Sequence, residues 1–326
     1  MLDRSNKDHQ SRNTKYLAIA ISAAIFAIPA VIPGKFQWLQ CFMPLPVFYC
    51  LTRFGQRQGT SLISNSVLAA GAIALIFGSL QVMFLSFSLL PLGFHLARAA
   101  RKKENLIQTG AMGVALMITI LFALCVFISV IYGTNPYKKI LTDLDKGIQI
   151  TYEQYMSSSE YPQETLEQLG QVFDQVRLII PRIFPGLLIT GILFMVWLNL
   201  SLGQIILKRR DPALIPWEDL REWRLPDPFV WGVILTSAAL FIPVRLLNTV
   251  GLNMMLILGE LYFFQGMAVI TFMFNKWNVP RPMRIFIYLI LVIQAYGAVI
   301  VAAFGLADVW ADFRKIRKSK TNENPH

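Results

Sequence analysis

Between Thr60 and Ala97 the chain runs through 38 residues without one Asp, Glu, Lys or Arg. As a single helix that stretch would be about 57 Å long at 1.5 Å per residue. A bilayer's hydrocarbon core is about 30 Å thick and needs about 20 helical residues. Two membrane-crossing helices, joined near Gly78-Ser79-Leu80-Gln81, are therefore expected. The same reading finds nine apolar runs in all: 16–33, 36–52, 60–78, 81–97, 106–132, 181–207, 229–247, 252–275 and 284–306. The whole chain agrees with them. It is 55% hydrophobic and 15% charged, where soluble chains carry about 25% charged residues, and its mean hydropathy is +0.51. The expected fold is all-α, a polytopic transmembrane helical bundle of eight or nine membrane segments in the lipid bilayer.

The net charge of +11 does not point to nucleic acid, because the bases sit at the ends of apolar runs. Lys and Arg concentrate on the cytoplasmic side of such segments. Arg4, Lys7, Arg12 and Lys15 precede the first run and place the N-terminus inside. That run ends at Ile32-Pro33-Gly34 without a cleavage pattern, so it does not read as a signal peptide. Alternation then puts Arg53 and Arg57 inside, Arg98 to Lys103 inside, the acidic stretch 133–180 outside, and Lys208 to Arg224 inside. The expected layout is a cytoplasmic N-terminal tail over 1–15 and a six-helix transmembrane bundle over 16–207. An extracytoplasmic helical hairpin lies within it at 133–180. A cytoplasmic interfacial segment follows at 208–228, then C-terminal transmembrane helices over 229–306 and a basic tail over 307–326. The last three runs resist the alternation. Lys276, Arg281 and Arg284 ask for the same side as Arg314, Lys315, Arg317, Lys318 and Lys320, so a re-entrant or interfacial segment is one way to satisfy both.

Smaller features refine this. Apolar residues recur at helical spacing over 138–155 and over 163–178, the latter behind Pro162. Trp217 and Trp223 suggest a helix lying in the interface, stopped by Pro226 and Pro228. The N-terminal dozen residues and the tail after Lys320 read as disordered. Cys41, Cys50 and Cys125 lie in apolar runs and read as packing residues rather than a disulfide framework.

Candidate functional residues are few. Pro44 and Pro46 break a membrane run, and freed carbonyls at that depth must be buried in protein or line a wet cavity. They read either as the kinked wall of a substrate cavity or as a packing kink. Ala20 and Ala24, and Ala23 and Ala27, are small residues four apart that let helix backbones approach. Ser66, Ala70 and Ala74 form a similar row. Glu260 stands inside an apolar run, where a carboxylate must be neutral, paired or facing water. Arg245, Asn199 and Gln265 are its candidate partners. Asn199 and the other membrane amides read more readily as inter-helix hydrogen bonds than as ligand contacts. No HExxH, GxSxG, P-loop or CxxC pair occurs. No catalytic residue, metal or cofactor is therefore expected, and transport would draw on a gradient or a separate engine.

One set of residues carries a resemblance: Arg53-Phe54-Gly55 after the Pro-x-Pro helix, Arg101-Lys102-Lys103, Trp223-Arg224-Leu225-Pro226, Asn253, Phe264-Gln265-Gly266, and Gly305 to Asp308 with Asp312-Phe313-Arg314. Together these resemble the YybS-like family of uncharacterised bacterial membrane proteins over nearly the whole chain. That family is in turn similar to the substrate-binding S components of energy-coupling-factor transporters. The likeness implies a six-helix vitamin-binding-type bundle for the first six helices, in the bacterial inner membrane. It also implies a small-molecule ligand and a second membrane subunit docking on Ala20 and Ala24. Residues 208–326 have no counterpart in a six-helix S component. Two functions remain open: a solute-binding transporter component, with Pro44, Pro46, Asn199 and Glu260 as candidate substrate-binding residues, or a non-transporting membrane scaffold or regulator whose segment 211–228 and basic tail recruit a cytoplasmic partner or anionic lipid.

Overall fold

The structure, a computed structural model, describes residues 2–157, 162–294 and 296–315. Among these residues all regular structure is helical. Six helical stretches are long and apolar enough to cross a membrane. The chain divides into two compact units, Met1–Ile120 with Ile192–Glu218, and Leu121–Gly191 with Asp219–His326.

The first unit opens with α1 (Leu2–Val31), α2 (Pro33–Phe36) and a 3-10 turn at Gln37–Phe42. The N-terminal dozen residues, expected to be disordered, continue α1; no Gly or Pro precedes Pro29 to end it. Next comes α3 (Pro44–Ile76), which is two arms rather than one rod. Gly55 has φ 77° and ψ 170°, a backbone that residues with a Cβ rarely adopt. A Cβ on Gly59 would lie 2.7 Å from Leu51 Cα, although eight helical residues span about 12 Å. The chain therefore reverses at Gly55, and the expected runs 36–52 and 60–78 fall on separate arms. Pro44 and Pro46 lie in the first turn of the helix, where a missing N–H costs nothing. They open α3 rather than kink a continuous run.

After Gly78, at φ 66°, the expected fourth run is two short helices, α4 (Leu80–Phe87) and α5 (Leu90–Lys102), broken ahead of Pro91. The first half of α6 (Leu106–Tyr132) and the C-terminal part of α8 (Gln163–Arg210) complete the unit. Its core is a single cluster of 24 buried residues that includes Phe26, Phe48, Leu92, Val196 and Leu207. Small residues set the spacing. Ser66, Ala70 and Ala74 are buried on the second arm of α3, and Ser66 Oγ donates to Ile19 O of α1.

The second unit contains the end of α6, α7 (Pro136–Met156) and the start of α8. Asn135 caps α7 by accepting from the backbone N–H groups of Tyr137 and Lys138. α7 and the start of α8 lie together, with Tyr152 against Phe173 and Arg177 paired to Asp145. The segments 163–178 and 181–207 are one helix of 48 residues, about 72 Å long. That is more than twice a hydrocarbon core, so much of its polar start lies outside one.

Residues 211–228 were expected to be a helix and are not. They form 3-10 turns at Pro212–Leu214 and Leu220–Glu222. Asp211 and Asp219 accept from the backbone N–H groups of Ala213 and Arg221, local bonds that compete with a helix. Pro212, Pro216, Pro226 and Pro228 also interrupt the stretch. Then follow α9 (Phe229–Phe241), α10 (Arg245–Lys276), α11 (Arg281–Ile293) and α12 (Gly297–Ala311). α9, α11 and α12 have 13, 13 and 15 residues, each under about 23 Å and too short to cross alone. The expected ninth run is thus two helices, one ending at Ile293 and the next beginning at Gly297. A Cβ on Gly297 would lie 1.9 Å from Leu291 O, so the chain bends sharply between α11 and α12. Arg317, Lys318, Lys320 and the polar end of the tail lie outside the described residues.

Candidate functional site

The polar groups of the second unit gather around the middle of α10. The meeting of α10 and α12 is a glycine contact. A Cβ on Gly266 would lie 1.9 Å from Val301 O, and one on Gly305 would lie 2.0 Å from Tyr262 O. Only glycine lets two backbones come this close. The approach brings the Gln265 side chain, fully buried, within reach of α12 and of the segment before α9. Its Oε1 accepts from Leu225 N at 3.1 Å, and its Nε2 donates to Gly305 O at 3.0 Å and to Asp308 Oδ2 at 3.3 Å.

Asp308 in turn pairs with Arg314 at 2.7 Å, both side chains fully buried. Asp308 Oδ1 also accepts from Phe313 N as α12 ends at Asp312, in the left-handed region. Arg314 Nη1 donates to the carbonyls of Arg221 and Trp223. Arg224 Nη2 donates to Val309 O and Asp227, and its Nη1 lies 3.8 Å from Asp312. The residues Trp223, Gln265, Gly266, Asp308, Asp312 and Arg314, scattered over some ninety positions, thus form one clamp. Pro226 O accepts from Phe229 N as α9 begins. Nothing in the spacing of these residues announced the clamp, because many of its partners are backbone groups, which every residue carries.

Glu260 lies one turn before this clamp. It is half-buried, and its Oε2 is buried without a hydrogen-bond partner. So is the hydroxyl of Tyr262. Arg245 is not its partner. The turn falls at Ile242–Val244, with Pro243, rather than at 248–252, so Arg245 begins the same helix and sits about 22 Å from Glu260 along it. Gly251 instead lies within α10, where a Cβ would meet Leu240 at 3.0 Å. Gln265 is engaged in the clamp, and Asn199 is bonded inside the first unit. Among the candidate spans, Asp and Glu otherwise occur only at Glu164, Glu167 and Asp174, in the first twelve residues of α8.

The membrane amides share one role. Pro185 has no N–H to offer Pro181 O, and one position further along Asn253 bonds the backbone of α8. Its Oδ1 accepts from Gly186 N and its Nδ2 donates to Arg182 O. Those two groups are an i, i−4 pair of a helix that runs on through this position. Gly186 admits it, since a Cβ there would lie 3.0 Å from Asn253 Cα. In the first unit, Asn199 Nδ2 donates to Cys41 O at 2.8 Å, just ahead of the pair Pro44 and Pro46. Gln204 Nε2 reaches the carbonyls of Trp217 and Glu218. Each amide bonds backbone groups of another segment. Asn199 Oδ1 and Gln204 Oε1 remain buried without a partner.

The remaining predicted residues are dispersed. Pro44 and Pro46 are buried beside the fully buried Met43, Val47 and Phe48. A Cβ on Gly93 would meet Pro44 O at 2.4 Å. Ala23, Ala27 and Ala30 form the packed face of α1, while Ala20 and Ala24 are exposed. Arg53 stacks on Tyr49 and Phe54 and donates to the Tyr49 hydroxyl. Gly55 is the reversal in α3.

This arrangement of long apolar helices, half-length helices and buried polar clamps defines a multi-pass helical membrane protein. The chain belongs to the DUF2232 family of predicted membrane proteins, whose pattern it matches over residues 20–309. It is 24% identical over 271 residues to the uncharacterized protein YybS of Bacillus subtilis (strain 168), covering 81% of this chain and 84% of that one. No solved structure matches it.

Proposed function

We propose that the chain is a small-solute-binding component of a transport system in the bacterial inner membrane, related in role to the S components of energy-coupling-factor transporters. The observation that carries this reading is the Glu260 carboxylate, buried on α10 without a partner. Intramembrane carboxylates are costly, and they persist where they meet a proton, a cation or a water-filled path. Half-length helices beside a full span are also a feature of transporter folds, where such breaks line the binding site. The solute would then carry a cationic group, or move together with a proton. Glu260→Gln tests this, because it keeps size and hydrogen bonding and removes the charge. The expected result is a protein with wild-type melting that loses a small cationic molecule co-purifying with the wild type, read by mass spectrometry. A wild type that carries nothing, and a variant indistinguishable from it, would sink the reading.

A second reading, a scaffold or regulator that recruits a cytoplasmic partner, has its own support. The position where an S component would need a cavity, around Pro44 and Pro46, is filled by Met43, Val47 and Phe48. In this reading the segment 211–228 and the basic tail would recruit the partner, while the exposed Ala20 and Ala24, as a docking face for a second membrane subunit, belong to the transporter reading. The solute reading therefore rests on the second unit and not on the first.

A further inference from the structure

We propose that one end of the first unit is a binding surface for anionic phospholipid headgroups, an inference independent of the solute reading. Three segments far apart in sequence meet there. Arg101 Nη1 donates to Gln56 Oε1 at 3.1 Å, joining the end of α5 to the α3 reversal. Trp217 Nε1 donates to Glu104 O at 2.8 Å, and Lys208 Nζ donates to Trp217 O at 2.6 Å. These bonds tie the end of α8 and the segment after it to the same place. Phe48, in the first arm of α3, lies 6.0 Å from the Trp217 ring.

The three segments 53–57, 98–104 and 208–218 carry nine Lys and Arg and three Asp and Glu. Part of this excess has an internal reason, since cations at the ends of α5 and α8 sit by the free carbonyls of helix C-termini. That reason does not cover Arg57, which follows the reversal and is exposed. Among the described residues none of the nine bases forms an ion pair; the ion pairs lie in the second unit. The surface therefore carries a net excess of six guanidinium and ammonium groups, nine less three, none of them held in an ion pair, at the end of membrane helices. Arginine presents a planar fork that matches a phosphodiester. In a bilayer the anion within reach of such a rim is the lipid phosphate, and basic residues there favour anionic over zwitterionic lipid.

The test places the full chain in nanodiscs of phosphatidylcholine alone, or with phosphatidylglycerol, and counts the lipids retained on release by native mass spectrometry. Phosphatidylglycerol should be retained in preference to phosphatidylcholine, and the preference should fall as salt rises. One basic side chain at an anionic surface contributes about fivefold, so Arg57→Gln, Arg101→Gln and Arg209→Gln together should lower the preference by roughly a hundredfold. All three are exposed, and unchanged helicity by circular dichroism checks the fold. Equal retention of the two lipids, salt-independent retention, or an unaltered triple variant overturns the proposal. So does polyglutamate binding in phosphatidylcholine nanodiscs as tightly as phosphatidylglycerol is held, which would make the surface a dock for acidic protein. Soluble glycerol phosphate should fail to displace the lipid; displacement would point to a free-phosphate site and also overturns the proposal.

Discussion

The two units are held together by different means. The first has a 24-residue apolar core and leaves its charges unpaired at one end. Among the described residues the second has a smaller buried apolar cluster, Leu225, Val230, Tyr262 and Val309, with Phe264, Val269 and Val301 buried besides. Its order comes from glycine contacts, the Asp308–Arg314 pair and amides that bond backbone. Between helices in lipid, apolar surface alone gives little drive to associate, so close packing and polar bonds decide. The first unit uses small residues and jigsaw packing. The second uses polar bonds made where the backbone is broken. Local damage in the second unit should therefore cost more than comparable damage in the first.

The largest expected effect is at Asp308. Asp308→Ala leaves the fully buried Arg314 without its counter-charge, and breaking such a pair costs about 3–5 kcal/mol. Thermal unfolding in detergent should show it, and adding Arg314→Met should recover much of the loss, because an absent pair is cheaper than half of one. A single variant within about 1 kcal/mol of wild type would break the comparison, since the clamp would then be ornamental.

The asparagines sharpen the same contrast. Asn253 bonds both a donor and an acceptor of the α8 backbone beside Pro185, while Asn199 bonds Cys41 O and a carbonyl of its own helix, Met195 O. Leaving a buried polar group unpaired costs about 1–3 kcal/mol. Asn253→Ala should therefore cost about 2 kcal/mol and Asn199→Ala about 1 kcal/mol. Hydrogen bonds between membrane helices average about 0.6 kcal/mol because the separated helix finds other partners. Backbone groups beside a proline have fewer alternatives. Equal losses at the two asparagines would mean that the α8 backbone beside Pro185 depends no more on its amide than Cys41 does.

What the sequence made legible follows the same division. Apolar length marked the spans, and Gly55, Gly78 and Pro162 marked real boundaries, because a missing Cβ or N–H acts on the backbone directly. Run length alone could not show that 229–247 and 284–306 are broken, since Ile242-Pro243 and the bend before Gly297 interrupt apolar stretches without adding charge. The 211–228 segment looked helical by its tryptophans, and its aspartates took the backbone elsewhere. Glu260 stood out as an isolated carboxylate. Its supposed partner Arg245 depended on a turn placed six residues too late, and a turn's position is the least legible part of an apolar hairpin. The clamp was visible only as a family resemblance, because a side chain that bonds a carbonyl leaves no pattern in the residue that supplies it.

The smallest effect belongs to the most visible ion pair. Arg177 grips Asp145 with two hydrogen bonds, at 2.7 and 3.1 Å, and also donates to Gln149. The Arg177 hydrogen bond, more than its charge, holds the Asp145 carboxyl below its ordinary range. A carboxyl whose folded pKa is depressed contributes stability above its unfolded value, about 3.9. That contribution disappears as pH falls through the folded value. Asp145→Asn should therefore differ from wild type only near neutrality, with the gap closing on acidification below about pH 4. Both groups are exposed, however, so water and salt screen the pair. The neutral-pH gap itself should lie near the resolution of a melting experiment and shrink in high salt. A loss at Asp145 as large as the one at Asp308 would mean that exposed charge, and not buried polarity, organises the second unit.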